Sequence, residues 1–490
     1  MRNATKILIC VLFLGASAEA YCQTWQFTGS LSSKKRTGVL TTLPNQTAIY
    51  VGGADPSGSP LTTCELYNPA TGSWSLAASM AIPRERHTCT LLPDGRLVVI
   101  AGNTSPIYDV SSPTASIEIY DYVTNTWSSG EALSVARQNH TATLLLDGTI
   151  LVVGGYTGSG TTASAEIYDP STGTCKTVAP MILSRHDHSA TLLNDGRVLV
   201  IGGRSGGSGS DYFTESEIYD PSTNTWTVVG NMAQARIKGS LITFSDGTVL
   251  ASGGRNTPNT SAPGSEVFLS PFTSWTSTSA MFQPVTWQTS TLLPNDRFLV
   301  TGGIIDANWT SSFSAVTTPT CEWYDKPNLR WFYAPSMNQE RSYHAACYMH
   351  QTVSETLPTD FVLVASGLIA DNQFTETAEI LNVTDDAILQ YKAMPQNMAG
   401  VNDPKTSGTA TILYLSPDRP ELELSLTAAQ EVTIDIFSTV GTPIANIDAG
   451  TVDAGLSYIP LQSNIRTPGT YFARMNIAGQ NRVLKFTVLN

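Results

Sequence analysis

A chain of 490 residues has room for two or three ordinary domains, or for one repeat architecture with a small domain beside it. Only 14% of its residues are charged, while 38 are Gly and 27 are Pro, a composition that favours an all-β protein rich in hairpins over a helical or disordered one. A formal net charge of −13 argues against nucleic acid or an anionic membrane as a bulk electrostatic partner, because a phosphate surface attracts a basic one.

At the N-terminus, Arg2 and Lys6 precede an apolar run from Ile7 to Leu14, and Ala18-Glu19-Ala20 offers a small-x-small cleavage site. Residues 1–20 therefore read as a secretory signal peptide, too short for a membrane span. Tyr21 before Cys22 is too bulky for a lipoprotein signal, and no later run is apolar enough to cross a bilayer. The expectation is an exported protein without a membrane span. "WQFTGSL", Trp25 to Leu31, then has the pattern of a single outer strand standing apart from any hairpin.

Next comes a repeat. "HTATLLLDGTILVVGG" at 140–155 returns as "HSATLLNDGRVLVIGG" at 188–203, with further copies beginning at Gly38, His87, Gly239, Gln288 and His344. Each copy is followed by a second signature. Glu65, Glu118, Glu166, Glu217, Glu266, Glu322 and Glu379 stand nine residues before Trp74, Trp127, Cys175, Trp226, Trp275, Trp331 and Ile388. A Met or Leu follows six residues later. Each unit reads as four short antiparallel strands, a to d. Strand a leads into an Asp-Gly turn such as Asp147-Gly148, expected to be a two-residue hairpin with positive φ. Strand b is an unbroken apolar run ending in a Gly pair, as for a strand buried on both faces. Such a sheet cannot bury both faces alone, and radial stacking of seven copies does so as a β-propeller.

The Gly-Gly, Glu-x-Tyr, Trp and Met at these spacings resemble kelch repeats over residues 25–394. The resemblance implies an all-β chain with a seven-bladed kelch-type propeller over 21–398. Either the N-terminal strand or the weak last strand of the seventh unit closes the ring. Residues 399–412 read as a Gly/Asn/Pro linker, and 413–490 alternate apolar and polar residues like a small Ig-like β-sandwich. Pro417 to Leu426, "VTIDIFSTVGTPI", Gly469-x-Tyr471 and "VLKFTV" resemble the C-terminal sorting domain of the type IX secretion system. That resemblance implies the secretion machinery as a partner, and a secreted or cell-surface destination reached through the periplasm.

The Asp-Gly and c–d turns fall on one face of such a ring, the b–c and d–a loops on the other. Because the b–c loops vary in length while the Asp-Gly turns do not, the b–c face is the candidate binding surface. Its aromatic and polar residues, Tyr108, Asp109, Asp211, Tyr212, Phe213, Asn308, Trp309 and Phe313, suit a glycan or protein ligand. The d–a loops carry Lys35, Arg84, Arg137, Arg185, Arg236 and Arg341, with Val285 breaking the series. Pairing of these cations with the strand-c glutamates of adjacent blades accounts for both series structurally, ahead of an anion site.

His87, His140, His188 and His344 share one repeat slot and read as architecture. "RHDH" at 185–188 reads as a solvated loop. "RSYHA" at 341–345 resembles the Tyr-His of the galactose-oxidase family, which would make Tyr343 and His344 copper ligands. That site also needs a second His and a Cys-crosslinked Tyr, and no clear second-His motif is present. Cys22, Cys64, Cys89, Cys175, Cys321 and Cys347 lack zinc spacing, and four of them occupy small-residue or Trp slots. The reading is a binding module with no cofactor, metal or catalytic residue expected. The alternative is a carbohydrate-active enzyme, either a galactose-oxidase-like copper oxidase or a protein similar to a sialate mutarotase.

Overall fold

The computed structural model describes residues 24–106, 111–206, 211–257, 260–305, 316–352, 359–370 and 373–383, with Ile7–Leu8 and the strands between 411 and 488. The expected cleavage site, the last strand of the seventh unit and most of the linker lie outside the described residues, as do Tyr108, Asp109, Asn308, Trp309 and Phe313. The chain divides into two compact units, Thr24–Asn382 and a second made of Val383–Asn490 with Met1–Gln23.

The first unit is a ring of seven antiparallel sheets. In the third, strands Thr141–Leu144, Ile150–Val153, Ala165–Asp169 and Thr174–Val178 run in the order a-b-c-d. Strand a of every blade neighbours strand a of the next, and Val39–Thr42 of the first blade neighbours Ala345–His350 of the seventh, so strands a form the inner wall. Strand b is buried in each blade, apart from its first residue in the sixth and seventh (Arg297 and Asp360), because neighbouring sheets cover both of its faces. The cores are shared between blades: Leu145, Leu151, Val153, Met181, Val198, Val200 and Tyr219 form one cluster spanning the third and fourth.

Gln26–Thr28 closes the ring by pairing with Ala378–Asn382 as strand d of the seventh blade. The N-terminal strand is thus the closing piece. Trp25 Nε1 donates to the Pro335 carbonyl at 2.7 Å, and Leu31 N–H donates to the Glu376 carbonyl at 2.9 Å.

The a–b turns depart from the two-residue expectation. Leu145 N–H donates to Thr149 O and Gly148 N–H to Leu145 O, while only Gly148 has positive φ, at 85°. This is a type I turn followed by a left-handed glycine, which leaves Asp147 free to accept the Thr149 N–H at 2.9 Å.

The second unit contains two antiparallel sheets. One joins Gln480–Val488, Gly469–Ile477, Gln430–Ser438 and Pro443–Val452. Ile7–Leu8 extends its edge, a pairing that only the uncleaved chain can make. The other joins Thr411–Ile412, Glu421–Leu426 and Gly455–Pro460.

Candidate functional site

The Arg–Glu series forms one cradle used repeatedly. Arg137 Nη2 meets Glu166 Oε1 at 2.8 Å, and its Nη1 donates to the carbonyls of Gly154 and Ser164 at 2.8 and 3.0 Å. Glu166 also accepts the N–H groups of Ser134 and Val135. Arg84–Glu118, Arg185–Glu217, Arg236–Glu266 and Arg341–Glu379 repeat the arrangement, and Lys35 meets Glu65 in the first blade. Each pair joins a d–a loop to strand c of the same blade, not of an adjacent one. The d–a loop crosses back over the b–c end of the blade it is about to enter, which brings the two groups together. Between blades, Gly155 N–H donates to the Arg185 carbonyl at 2.8 Å.

The histidine slot is also internal. His140 Nε2 lies 3.0 Å from Thr88 Oγ1 and His188 Nε2 lies 2.9 Å from Thr141 Oγ1, each bridging to the preceding blade. Burial, and then the neighbouring Arg84 and Arg341, push His87 and His344 down to about 3, so these rings are neutral.

Two residues beyond each Arg slot, the chain turns left-handed at Thr37, Arg86, Asn139, Asp187, Lys238, Trp287 and Tyr343, with φ between 51° and 59°. Asn139, Asp187, Lys238, Tyr343 and Thr37 each donate N–H to the carbonyl of the corresponding residue one blade back, at 3.0–3.3 Å. This collar sits at the b–c end of the inner wall, because the residues just before it pair with those following the Gly pair, as in Gln138 with Tyr156 and His186 with Arg204. Positive φ at bulky residues such as Trp287 and Tyr343 is rare and clusters at functional sites.

The side chains of this mouth are cation-rich. Asp187 is 3% exposed and takes Lys238 Nζ at 2.8 Å and Arg204 Nη2 at 3.2 Å. Burial would raise its carboxyl, but Lys238, His186 and Arg204 outweigh that and hold it well below the usual range. Glu85 lies against Arg86 and accepts the Thr37 hydroxyl at 3.0 Å. Lys238 lies over Trp287, Trp287 stacks on Tyr343 at 4.3 Å, and Arg36 lies over Tyr343, so a cation–π–π–cation stack follows the rim. Burial pushes the Tyr343 hydroxyl up to about 12 against the pull of Arg36, Arg86 and Arg255. Arg86 thus meets Glu85, and Arg204 and Lys238 meet Asp187, while Arg36 and Arg255 join the collar through backbone bridges to Ala54 and Ile237.

Of the described b–c residues, Asp211 is exposed on a turn held by Ser205, and Tyr212 pairs through its backbone with Arg204 at the collar. Phe213 lies over the buried Arg185 guanidinium at 5.4 Å, which gives it a packing role. His186 and Asp187 are buried at 5% and 3% exposure, so "RHDH" is not a solvated loop. The mouth cations escaped the sequence reading because their slots change from blade to blade. The usable signal was positional: they follow the Arg slot by one or two residues, or follow the Gly pair directly.

The copper reading does not fit. His344 Nε2 lies 2.7 Å from Thr289 Oγ1 and 3.1 Å from Thr301 Oγ1, and the Tyr343 ring is held between Trp287 and Arg36. Among the described residues no group of three His, Cys, Asp or Glu is placed to hold a metal ion. Cys64, Cys89, Cys175, Cys321 and Cys347 are free thiols, and burial pushes Cys64 and Cys347 up to about 12.

Residues 38–254 match the family described as the KLHDC2/KLHL20/DRC7 Kelch-repeats domain. Over those residues the propeller carries repeats of the kelch type. Kelch-like protein 28 of Homo sapiens is 32% identical over 127 residues, covering 24% of this chain and 22% of that protein. Kelch-like protein 36 of Bos taurus is 28% identical over 134 residues, covering 27% and 21%. The chain therefore spans about a fifth of the length of the curated relatives it matches. A solved structure of a novel fungal alcohol oxidase of the AA5 family, in complex with copper, superposes with a TM-score of 0.60 at 16% identity. It covers 96% of this chain and 99% of its own, a likeness of fold. No described helix is long and apolar enough to cross a membrane.

Proposed function

We propose that the kelch propeller is a binding module whose b–c face takes a glycan or protein ligand presenting acidic groups at the axial mouth. The observation that carries this is the placement of Arg86, Arg204 and Lys238 beside Glu85 and Asp187 at the collar, with Arg36 over the Tyr343 ring and Arg255 bridged to Ile237 there, in a chain of net charge −13. Partly buried cations in a concave site attract anions more strongly than the same charges scattered over a surface. Screening acidic and neutral glycans and peptides against the whole protein tests this reading. Acidic ligands should bind, with affinity falling as salt rises, and Arg86→Ala and Arg255→Ala should each weaken binding about tenfold. Salt-independent binding of neutral ligands, unaffected by either variant, overturns it.

The N-terminal segment and the likeness of the tail to a sorting domain support export through the type IX system. Deleting residues 413–490 should then leave the propeller in the periplasm, and surface delivery of the truncated chain would defeat the assignment.

A further inference from the structure

The sixth blade breaks the cradle. Val285 occupies the Arg slot, yet the rest of the arrangement is intact. Glu322 accepts the N–H groups of Phe282 and Gln283 at 3.0 and 2.8 Å, as its counterparts do in other blades. The backbones of Gly302 and Thr320 stand where Gly154 and Ser164 offer carbonyls to Arg137. In place of a guanidinium there is a narrow gap, nowhere wide enough for a water molecule. Met281, Gln283, Val285, Val300, Gly302, Thr320 and Glu322 line it.

None of the other lining residues is ionisable. The d–a loop brings Met281, Phe282, Gln283 and Val285, strand b brings Val300, and the b–c return brings Thr320. Strand d places Tyr333 opposite Glu322, with its ring stacked on Phe282 at 4.5 Å. Cys321, next in the chain, is a buried neutral thiol. From the seventh blade, Arg341 is committed to Glu379 at 2.7 Å and His344 is held neutral.

We propose that the sixth blade is a proton-binding element in which Glu322 stands as the neutral acid, and that its ionisation loosens the root of the Trp287 collar. A dry pocket without a cation disfavours the charged form, and burial accordingly pushes this carboxyl up to about 7. The two N–H bonds favour the charged form, so the loosening comes from water that the ionised carboxylate draws between the d–a loop and strand c, and the chain from Phe282 and Gln283 runs directly through Val285–Thr286 to Trp287 in the rim stack. The sign follows from linkage: with the folded value above the unfolded one of 4.5, the contribution is fully present below about pH 4.5 and is lost as pH rises through 7.

Urea unfolding of the whole chain between pH 5 and 8 tests this, comparing wild type with Glu322→Gln and Val285→Arg. The wild type should lose on the order of a hundredfold in its folded-to-unfolded ratio, relative to Glu322→Gln, across that range. Val285→Arg, which restores the missing cation, should stabilise more at pH 8 than at pH 5. Infrared spectra at pH 6 should show a protonated-carboxyl band that disappears in Glu322→Gln. A constant offset between wild type and Glu322→Gln at all pH values, an equal effect of Val285→Arg at both ends, or the lack of that band overturns the proposal.

Discussion

A buried cation needs both a counter-charge and acceptors for its remaining N–H groups. Arg137 has Glu166, three carbonyls and the Ser164 hydroxyl, at zero exposure. Arg137→Ala should therefore cost about 3–5 kcal/mol, because Glu166 is left charged and desolvated. Arg137→Lys should cost less, since Lys35 already fills the equivalent cradle against Glu65 in the first blade. Chemical unfolding of the two variants side by side checks the ordering, and equal losses would mean that packing rather than charge holds the site. The Arg and Glu slots were legible as fixed spacings, but their pairing within one blade was not. Spacing along the chain carries no information about where a d–a loop crosses the sheet.

At the scale of the element, the Gly pair after strand b shows why the repeat is so strict. Gly155 has φ +107°, and a Cβ there would lie 2.9 Å from the Gln138 carbonyl. Its N–H also ties the third blade to the fourth. Gly155→Ala should cost roughly 1–3 kcal/mol in unfolding free energy, the usual strain of a disfavoured backbone conformation. Gly160→Ala, with open space around it and no positive φ, should be close to neutral. The a–b hairpin teaches the opposite lesson. Asp-Gly marked the turn correctly, but the dipeptide serves two hairpin geometries, and the longer one was chosen.

For the whole molecule, closure and protonation set the stability. Trp25 is 2% exposed and anchors the strand that joins the chain's beginning to its seventh blade. Trp25→Ala should lower stability by about 3–5 kcal/mol and make unfolding start at that seam, which hydrogen exchange of Ala378–Asn382 would report. Acid adds a distributed load. His87, His140, His188 and His344 are neutral in the fold, and burial holds each below 6.5. Because the unfolded chain takes up those protons first, stability should fall as pH drops from about 6.5 towards 3. His188→Gln should lessen that acid loss, since Gln288 fills the same slot in the sixth blade and bonds Ser240. An unchanged acid limb in this variant would place the sensitivity elsewhere.

The seven units, the strand pattern within each and the β-rich tail were set by the sequence itself, because alternation, turn residues and repeat spacing are local properties that survive in one dimension. Only the tertiary structure decided which strand closes the ring, which blade each Arg serves, and that the varying residues after the Arg slot converge on one axis. Those outcomes depend on how seven copies face one another. A slot that changes from blade to blade looks like noise along the chain, yet rotation about the axis brings Arg86, Lys238, Trp287 and Tyr343 to a single rim.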